Sequence, residues 1–538
     1  MSNSLFSRVP TGRYNLAIRF TSILCVLALI CMLPIGRSNA QSDKTIQQIE
    51  DEALNRSQLE QTLVYLTESI GPRLSGSPAM KRANDWIRDR LEELGLENAH
   101  LESWGKFLPG WTLTRFSAQV IQPRCIPLVA FPKEWSPGLK TPLQAEALYF
   151  DVNDKAGLEK YRGKMRGKIV LNGGVRKIGL HVEPDAKRWT EKDLLELSNA
   201  PVVRPISPVQ QAAAGLQTQR LDDADKAQFF LEEGAALVLE AGSKGDSGTL
   251  FVEGPTLPKS LRAQASLPNE QDMIAKIVPQ VVVAVEQYNS MVRMVQAGEH
   301  VEVAIDLGVR FDPAAENYNT IAEIRGTDLS DQIVMLGAHL DSLHSATGAT
   351  DNGGGVATVI EAMRILKALG INPRRTVRVA LWSGEELGMC GSRAYVEQHF
   401  GKMEVKKLTP TADYEKLSAY YNIDYSAGRI RGVYLQGIEG AYPILREWLA
   451  PFHKWGADNL TLSEYGWSDH ASFNAVGLPG FFFIQDELEK SRTHHSNQDL
   501  LDRVQIDELK QNAIIIAALV FRTAMRDERM PRRTLASR

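Results

Sequence analysis

Imidazole and carboxylate side chains, the groups that bind divalent metals in proteins, end or follow four apolar runs of strand length in the second half of the chain. In chain order these side chains belong to His339, Asp341, Glu385, Glu386, Asp424 and His495. The runs are 332–340, 376–382, 418–423 and 480–485. In an open α/β sheet the ligand crevice lies outside the carboxyl ends of the strands. We therefore expect these side chains to converge at one edge of a sheet.

A further candidate, Asp351, stands just before three consecutive glycines, Gly353 to Gly355, that open a predicted helix. Glycines lose much conformational freedom on folding, which is unfavourable unless the backbone needs that freedom. The segment is therefore either a flexible loop or a turn that aims the carboxylate of Asp351.

Glu385 and Glu386 are adjacent acids that come shortly after an apolar run. On their own, two neighbouring acids are typical of a solvated surface, and a single histidine such as His339 is more often structural than metal-binding. Beside a pair of divalent metal ions the arrangement has a chemical use. One carboxylate can bind metal while its neighbour takes a proton from water.

The same half of the chain alternates between strand-like and helix-like patterns. The segment 355–369 has apolar residues at helical spacing and lies between two of the apolar runs. Strands that alternate with helices favour a sheet covered by helices on both faces. We predict an α/β fold with a mainly parallel mixed sheet sandwiched by helices.

At 538 residues the chain is long enough for two or three domains. Short β-like runs such as 167–171 and 234–239 alternate with polar stretches in the middle of the chain. We predict that residues 116–305 form a β-rich domain inserted between two parts of a catalytic domain, 41–115 and 306–538.

Residues 1–40 combine arginines, an apolar run at 21–35 and the small residues Ser38-Asn39-Ala40. This pattern is typical of a secretory signal peptide, so we expect cleavage after Ala40 and export to the periplasm or the extracellular space. The alternative is an uncleaved membrane anchor, but the run is shorter than the ~20 residues that span a bilayer. We expect no stable membrane span after cleavage.

Loss of this segment would remove four arginines and no acids, which changes the net charge from −4 to −8. A strongly negative protein is a poor partner for nucleic acid. Only Cys125 and Cys390 would remain of the four cysteines. The composition therefore excludes a fold built on disulfides.

Five motifs that contain the candidate residues follow one another in the order 338–342, 349–353, 385–388, 422–424 and 495–499. They read Ala-His-Leu-Asp-Ser, Ala-Thr-Asp-Asn-Gly, Glu-Glu-Leu-Gly, Asn-Ile-Asp and His-Ser-Asn-Gln-Asp. In this order they resemble the co-catalytic di-zinc exopeptidases, a family that includes bacterial leucyl aminopeptidases and plasma glutamate carboxypeptidase, also called carboxypeptidase Q. The central region resembles, more loosely, the protease-associated domain inserted in part of that family.

The resemblance implies two Zn²⁺ ions per chain. His339 and Asp424 would complete the ligands of one ion, and Glu386 and His495 those of the other. Asp351 would bridge both ions. The neighbour of His495, His494, is a competing candidate for the last position.

The resemblance also assigns two residues that do not bind metal. Glu385 would be the general base, and Asp341 would orient the imidazole of His339. The peptide bond between Asp351 and Asn352 would be cis.

The implied activity is hydrolysis of the terminal peptide bond of peptide substrates by an exported metallo-exopeptidase, with cleavage at the amino end favoured. A carboxypeptidase or dipeptidase of the carboxypeptidase Q type is the alternative. A receptor-like binding protein on the same fold is a third reading, which the retention of all five ligand positions and Glu385 disfavours. The sequence is compatible with a monomer or a homodimer.

Overall fold

A computed structural model describes residues 43–201, 221–264, 267–404 and 407–533. The expected signal peptide, residues 1–40, lies outside these ranges. Within them, no helix has both the length and the apolar character that crossing a membrane requires. Cys125 and Cys390 are both free thiols.

The first of two large sheets has eight strands and contains the apolar runs predicted from the sequence. In spatial order its strands are Glu97–Gly105, Asn317–Ile324, Arg375–Trp382, Leu329–His339, Leu417–Asn422, Gly480–Gln485, Ile430–Tyr434 and Asn459–Thr461. The four central strands, which are the four predicted runs, pair in parallel, and the other pairings in the sheet are mostly antiparallel. The prediction of a mainly parallel mixed sheet is confirmed.

Helices cover both faces of this sheet. Successive residues of a strand point to opposite sides, and apolar residues occur on both sides of the central strands. Val334 and Leu336 face one helix layer, whereas Met335 between them faces the other. The first layer contains Leu59–Val64, Pro78–Glu93, Gly354–Ala368, Tyr442–Leu449 and Ile506–Met525, and a helical segment over 43–55 adjoins it. The second layer contains Cys390–His399 and His470–Ala475.

The second sheet also has eight strands, all from the middle of the chain. In spatial order they are Ile126–Pro127, Gly110–Gln122, Glu302–Asp312, Leu143–Phe150, Ile169–Asn172, Leu237–Glu240, Gln280–Val283 and Ala130–Pro132. Four neighbouring strands, from Leu143–Phe150 to Gln280–Val283, run parallel. The helices Asp223–Glu233 and Val285–Gln296 pack against this sheet. The region predicted as β-rich therefore contains helices as well, and its division from the rest of the chain at 115 and 305 stays a prediction.

The remaining elements are short. The strands Gly401–Glu404 and Lys407–Pro410 form a separate two-stranded sheet. The short helices are Tyr65–Ile70, Lys155–Leu158, Glu159–Tyr161, Glu191–Ser198, Lys259–Arg262, Glu270–Lys276, Ala349–Gly353, Tyr414–Lys416, Glu439–Ala441, Ala450–Trp455, Lys490–Thr493 and Leu501–Arg503.

The loop before the helix Pro78–Glu93 brings the start of the described chain to the carboxyl edge of the first sheet. Ser77 caps this helix by accepting a hydrogen bond from the main-chain N–H of Met80, and Pro78 occupies the first turn. In the preceding loop, the main chains of Arg73 and Ser342 are linked by a hydrogen bond of 3.2 Å. The two parts of the chain that flank the second sheet therefore meet at one site.

Candidate metal centre

His339 lies at the end of the central strand Leu329–His339 and is almost completely buried. Its Nε2 is 3.1 Å from Oδ1 of Asp351 and 3.1 Å from Oδ1 of Asp424. Its Nδ1 is 3.1 Å from the main-chain oxygen of Asp341. A hydrogen bond from Nδ1–H to that oxygen leaves Nε2 as the nitrogen available to a metal ion.

Asp351 lies between two groups of possible ligands. Its Oδ1 faces His339, whereas its Oδ2 is 3.5 Å from Nε2 of His495 and 3.4 Å from Nε2 of His494. Among the described residues, no group donates a hydrogen bond to the buried Oδ2. Burial acts to raise the pKa of Asp351, but the hydrogen bond from His339 and the nearby histidines hold that pKa far below its usual value.

The peptide bond between Asp351 and Asn352 is cis, which confirms the expectation from the family resemblance.

His495 joins Asp351 to Glu386, whose Oε2 lies 3.0 Å from the Nε2 of His495. Burial acts to lower the pKa of His495, but the charge of Glu386 and its hydrogen bond raise it to about 10. His494 stacks on His495 at 3.8 Å between ring centroids, and its Nε2 lies 3.4 Å from Oδ2 of Asp351. Burial lowers the pKa of His494 to about 4. The pairing with Glu386 favours His495 over His494 as the ligand.

Glu385 is adjacent to Glu386 but makes no ion pair with the histidines of the described site. Its main-chain N–H donates a hydrogen bond of 3.3 Å to Oδ1 of Asp341. Burial raises the pKa of Glu385 well above its usual value, although the charge of His339 opposes this shift. A raised pKa makes the deprotonated carboxylate a stronger base, which suits a group that transfers a proton.

Asp341 holds neighbouring residues of the site in place through both its main chain and its carboxylate. Its Oδ1 lies 3.6 Å from the Nδ1 of His339, farther than its main-chain oxygen, and also accepts from Glu385. Its Oδ2 accepts a hydrogen bond of 2.9 Å from Ser75, and the same hydroxyl oxygen accepts from the N–H of Gly384 at 2.9 Å. The carboxylate therefore links the loop of Ser75 to the turn that carries Glu385.

Arg73 is a functional residue that the sequence pattern did not indicate. Its buried guanidinium donates to the main-chain oxygens of Leu340 at 2.7 Å, Thr347 at 2.7 Å and Gly348 at 2.8 Å. It also donates to the oxygens of Leu66 and Gly71 within its own segment. Burial lowers the pKa of Arg73 to about 10, so the group stays charged at neutral pH. Arg73 therefore holds the loop between His339 and Asp351.

Asp499 fixes the other side of that loop. Its carboxylate accepts hydrogen bonds from the hydroxyl of Thr350 at 2.7 Å and from the main-chain N–H of Asp351 at 3.1 Å. Burial and the charge of Asp351 raise the pKa of Asp499 to about 7. Asp499 belongs to the last of the five motifs, but no role could be assigned to it from the sequence. Its hydrogen bonds show that it holds Thr350 and Asp351 in place.

The donor groups fit a divalent metal. Two sets of ligand atoms, in His339, Asp351 and Glu386 and in Asp351, His494 and His495, each lie within 4.8 Å of one another. Imidazole nitrogens and carboxylate oxygens are the ligands that zinc takes beside thiolates. The unpartnered Oδ2 of Asp351, turned toward the histidines, is what a carboxylate shared between two ions requires.

The role of Arg73 can be tested with the substitution Arg73→Met. This change leaves the carbonyl oxygens of Leu340, Thr347 and Gly348 buried without their donor, so we expect zinc affinity to fall by about 10–100-fold, as for other groups that orient ligands. Competition with a chelator measures this affinity. Arg82→Met is the matched control because Arg82 donates to the oxygens of Ser69 and Ile70. A folded Arg73→Met protein with full zinc affinity would contradict the assignment.

The raised pKa values predict that zinc binding releases protons. His495, with a pKa of about 10, and His339, with a pKa well above its usual value, carry protons in the metal-free protein at neutral pH. Zinc needs the neutral imidazole, so its affinity should rise with pH between about 6 and 9, by about tenfold per pH unit for each proton displaced. Chelator competition at several pH values checks this.

His181→Gln serves as the control for that titration. The pKa of His181 is also raised, by hydrogen bonds to Asp246 and Asp185, but His181 lies outside the candidate site. The control should keep the slope of the parent protein. A zinc affinity that is independent of pH would show that His339 and His495 are not ligands.

Comparison with known proteins finds relatives that are similar over most of this chain. Carboxypeptidase Q of Mus musculus is 24% identical over 95% of this chain and 99% of its own length. A peptidase M28 precursor from Shewanella amazonensis SB2B has the same fold, with a TM-score of 0.63, 23% identity, and coverage of 92% of this chain and 99% of the other. BSAP, a zinc aminopeptidase from Bacillus subtilis, matches with a TM-score of 0.53 and 18% identity over 87% of this chain and 95% of its own.

The profile of peptidase family M28 matches residues 319–520, a range that contains every candidate metal ligand and Glu385. The resemblance of the central region to a protease-associated domain stays a prediction. Over residues 319–520, the sequence of this chain is similar to peptidase family M28.

Proposed function

We propose that this protein is a zinc-dependent exopeptidase that removes residues from the amino end of peptides. The observation that carries the proposal is the position of Asp351, whose two carboxylate oxygens face different histidines. This arrangement is the one that two neighbouring metal ions with a shared ligand need.

The residues that would hold two zinc ions fall into two sets. His339 and Asp424 form the first, Glu386 and His495 form the second, and Asp351 belongs to both. When bound, two zinc ions would polarise the scissile carbonyl and lower the pKa of the attacking water. The similarity to carboxypeptidase Q and to a zinc aminopeptidase supports this assignment.

Glu385 would move the proton in this reaction. It follows the strand that pairs with the strand of His339, and it stands next to a proposed ligand without making the ligand contacts. Its raised pKa suits a group that takes a proton from water and returns it to the leaving nitrogen. Asp341 would position both the main chain of Glu385 and the ring of His339.

The lining of the site lacks a side-chain partner for a substrate carboxylate. The crevice beside Asp351 and His495 is also lined by Glu386 and Asp499, and among the described residues no lysine or arginine lines it. Bound zinc ions would offset the charge of these acids, but recognition of a substrate carboxylate would still need a side-chain cation, which this lining does not supply. We therefore place the amino end of the peptide at the site.

The second candidate function is a carboxypeptidase or dipeptidase of the carboxypeptidase Q type. It is favoured by the length of the similarity to mouse carboxypeptidase Q, which extends over 99% of that protein. A receptor-like protein without metal is the reading from another class, and the ligand set speaks against it. Export of the enzyme is proposed on the sequence of residues 1–40 alone.

Substitution of the proposed base gives a direct test of mechanism. Glu385→Gln keeps the size of the side chain but cannot take up a proton, so we expect kcat to fall by about 10²–10⁴-fold. Metal analysis should show an unchanged zinc content, since Glu385 is not a proposed ligand. Glu397→Gln, an exposed acid on the following helix, is the control and should keep parental activity. Full activity in Glu385→Gln would remove Glu385 from the mechanism.

A set of blocked dipeptides separates the two candidate functions. We expect hydrolysis of Leu-Gly and of Leu-Gly amide, and no hydrolysis of N-acetyl-Leu-Gly, because cleavage at the amino end requires a free amine. Product formation is measured by chromatography with the zinc-loaded protein. Cleavage of N-acetyl-Leu-Gly with loss of activity on the amide would instead establish the carboxypeptidase.

A further inference from the structure

A cavity of about 490 Å³ lies beside the second sheet, and none of the proposed zinc ligands lines it. It opens at the carboxyl ends of two parallel strands, Ile169–Asn172 and Leu237–Glu240, and the turns 172–174 and 240–243 form part of its wall. Gly173 and Gly242 adopt positive φ angles there, of 108° and 65°. Ligands of open α/β sheets bind outside the carboxyl ends of the strands, and this volume is typical of small-molecule sites.

The walls of the cavity combine an apolar part with charges of both signs. The buried side chains of Phe230, Val238 and Val278 form the apolar part. The cations are Lys133, which pairs with Glu240, and Arg176. Buried Nε of Arg176 has no hydrogen-bond partner within the described residues.

The charged side chains of the cavity indicate which charges a ligand should carry. An unpaired buried guanidinium N–H is unfavourable, and a ligand carboxylate would satisfy it. The lining also contains three carboxyl groups, those of Asp223, Glu240 and Glu253, against the two cations. An excess of acids disfavours phosphates and nucleotides, whereas a ligand ammonium would find a partner. A small zwitterion with an apolar side chain fits both the charges and the apolar wall.

One wall of this cavity is attached to the proposed zinc site. Phe251, which lines the cavity, forms an antiparallel bridge with Ser496, and the N–H of Val252 donates to the main-chain oxygen of His495 at 3.3 Å. Asn497 completes the connection through hydrogen bonds with Leu250 of 2.8 Å and 3.0 Å.

The backbone conformation of His495 depends on the segments that contact it. Its φ of 61° is in the left-handed region, which a residue with a side chain adopts only when its surroundings hold it there. The segment 248–253 is part of those surroundings, since it lies along His495 and Ser496 on one side and along the cavity on the other. A ligand that moves this segment would therefore change the position of His495.

We propose that the cavity binds a free amino acid or a dipeptide with an apolar side chain, and that its occupancy alters the zinc site through residues 248–253. The second half of this proposal rests on the proposed zinc site, whereas the first half does not. Such a ligand has the chemistry of a product of peptide hydrolysis, so the cavity would report the product concentration to the enzyme.

The first test is calorimetric titration of the metal-stripped protein with L-phenylalanine. We expect one phenylalanine per chain, with affinity at least about tenfold lower in Arg176→Gln and in Glu253→Gln, since each loses one charged partner. Phenethylamine and 3-phenylpropionate, which each lack one charge, should bind comparably weakly. Arg166→Gln and Glu232→Gln, exposed residues of the same region outside the cavity, are the controls and should bind like the parent.

Three results would overturn the binding site. They are no binding to the metal-stripped protein, equal binding by the parent and both cavity variants, and binding that needs zinc, which would place phenylalanine at the zinc ions. A loss of peptidase activity in any sample does not affect this readout. The proposed function and the cavity can therefore fail separately.

The second test measures coupling. Zinc affinity, determined by chelator competition, should change by about fivefold or more at saturating phenylalanine, and phenylalanine affinity should change by the same factor on zinc loading. The change should disappear in Arg176→Gln at phenylalanine concentrations that saturate the parent alone. Identical zinc affinity with and without phenylalanine would refute the connection through residues 248–253.

Discussion

Mutual repulsion between buried carboxylates is the constraint on which this site depends. Three carboxylates are nearly inaccessible to solvent, those of Asp341, Asp351 and Asp499. The side chains of Asp424 and Glu386 are also largely buried. Burial raises the pKa of Glu386 to about 7 and that of Asp469 to about 7, and neighbouring carboxylates add to each shift. Contacts with histidines instead keep the pKa of Asp351 and that of Asp424 below the usual value. Both oxygens of Asp469 lack hydrogen-bond partners within the described residues. Cations at this edge of the sheet would relieve the repulsion, and zinc ions supply that charge.

Arg73 does not relieve this repulsion between carboxylates by forming an ion pair with one of them. Its guanidinium donates to five main-chain oxygens instead, and the acids act on it only at longer range. The chain thus uses its buried arginine for geometry and leaves the carboxylates available to metal. Ser75 and Asp499 work in the same way, since each fixes a backbone segment beside a proposed ligand. These contacts hold Asp351 in position together with the close packing around the glycines that follow it, where a Cβ atom on Gly353 or Gly355 would clash.

The sequence predicted the parts of the molecule that rest on local pattern and topology. Apolar runs of strand length gave the four central strands, and the rule for carboxyl ends placed His339, Glu386 and Asp424 at one edge of the sheet. Contacts such as those of Arg73 with Thr347 could not be predicted, because more than 270 residues separate them and a loop has no periodicity to read. The resemblance had already favoured His495 over His494, and the contact of His495 with Glu386 adds a geometric reason for the same choice. Helices in the middle region were missed because its β-like runs dominated the pattern.

X-ray diffraction at the zinc absorption edge, on crystals grown with zinc, tests the central claim most directly. The account predicts two anomalous peaks per chain, about 3.5–4 Å apart, on either side of the Asp351 carboxylate. One peak should lie against His339 and Asp424, and the other against Glu386 and His495. A single peak, or no peak in contact with Asp351, would contradict the account.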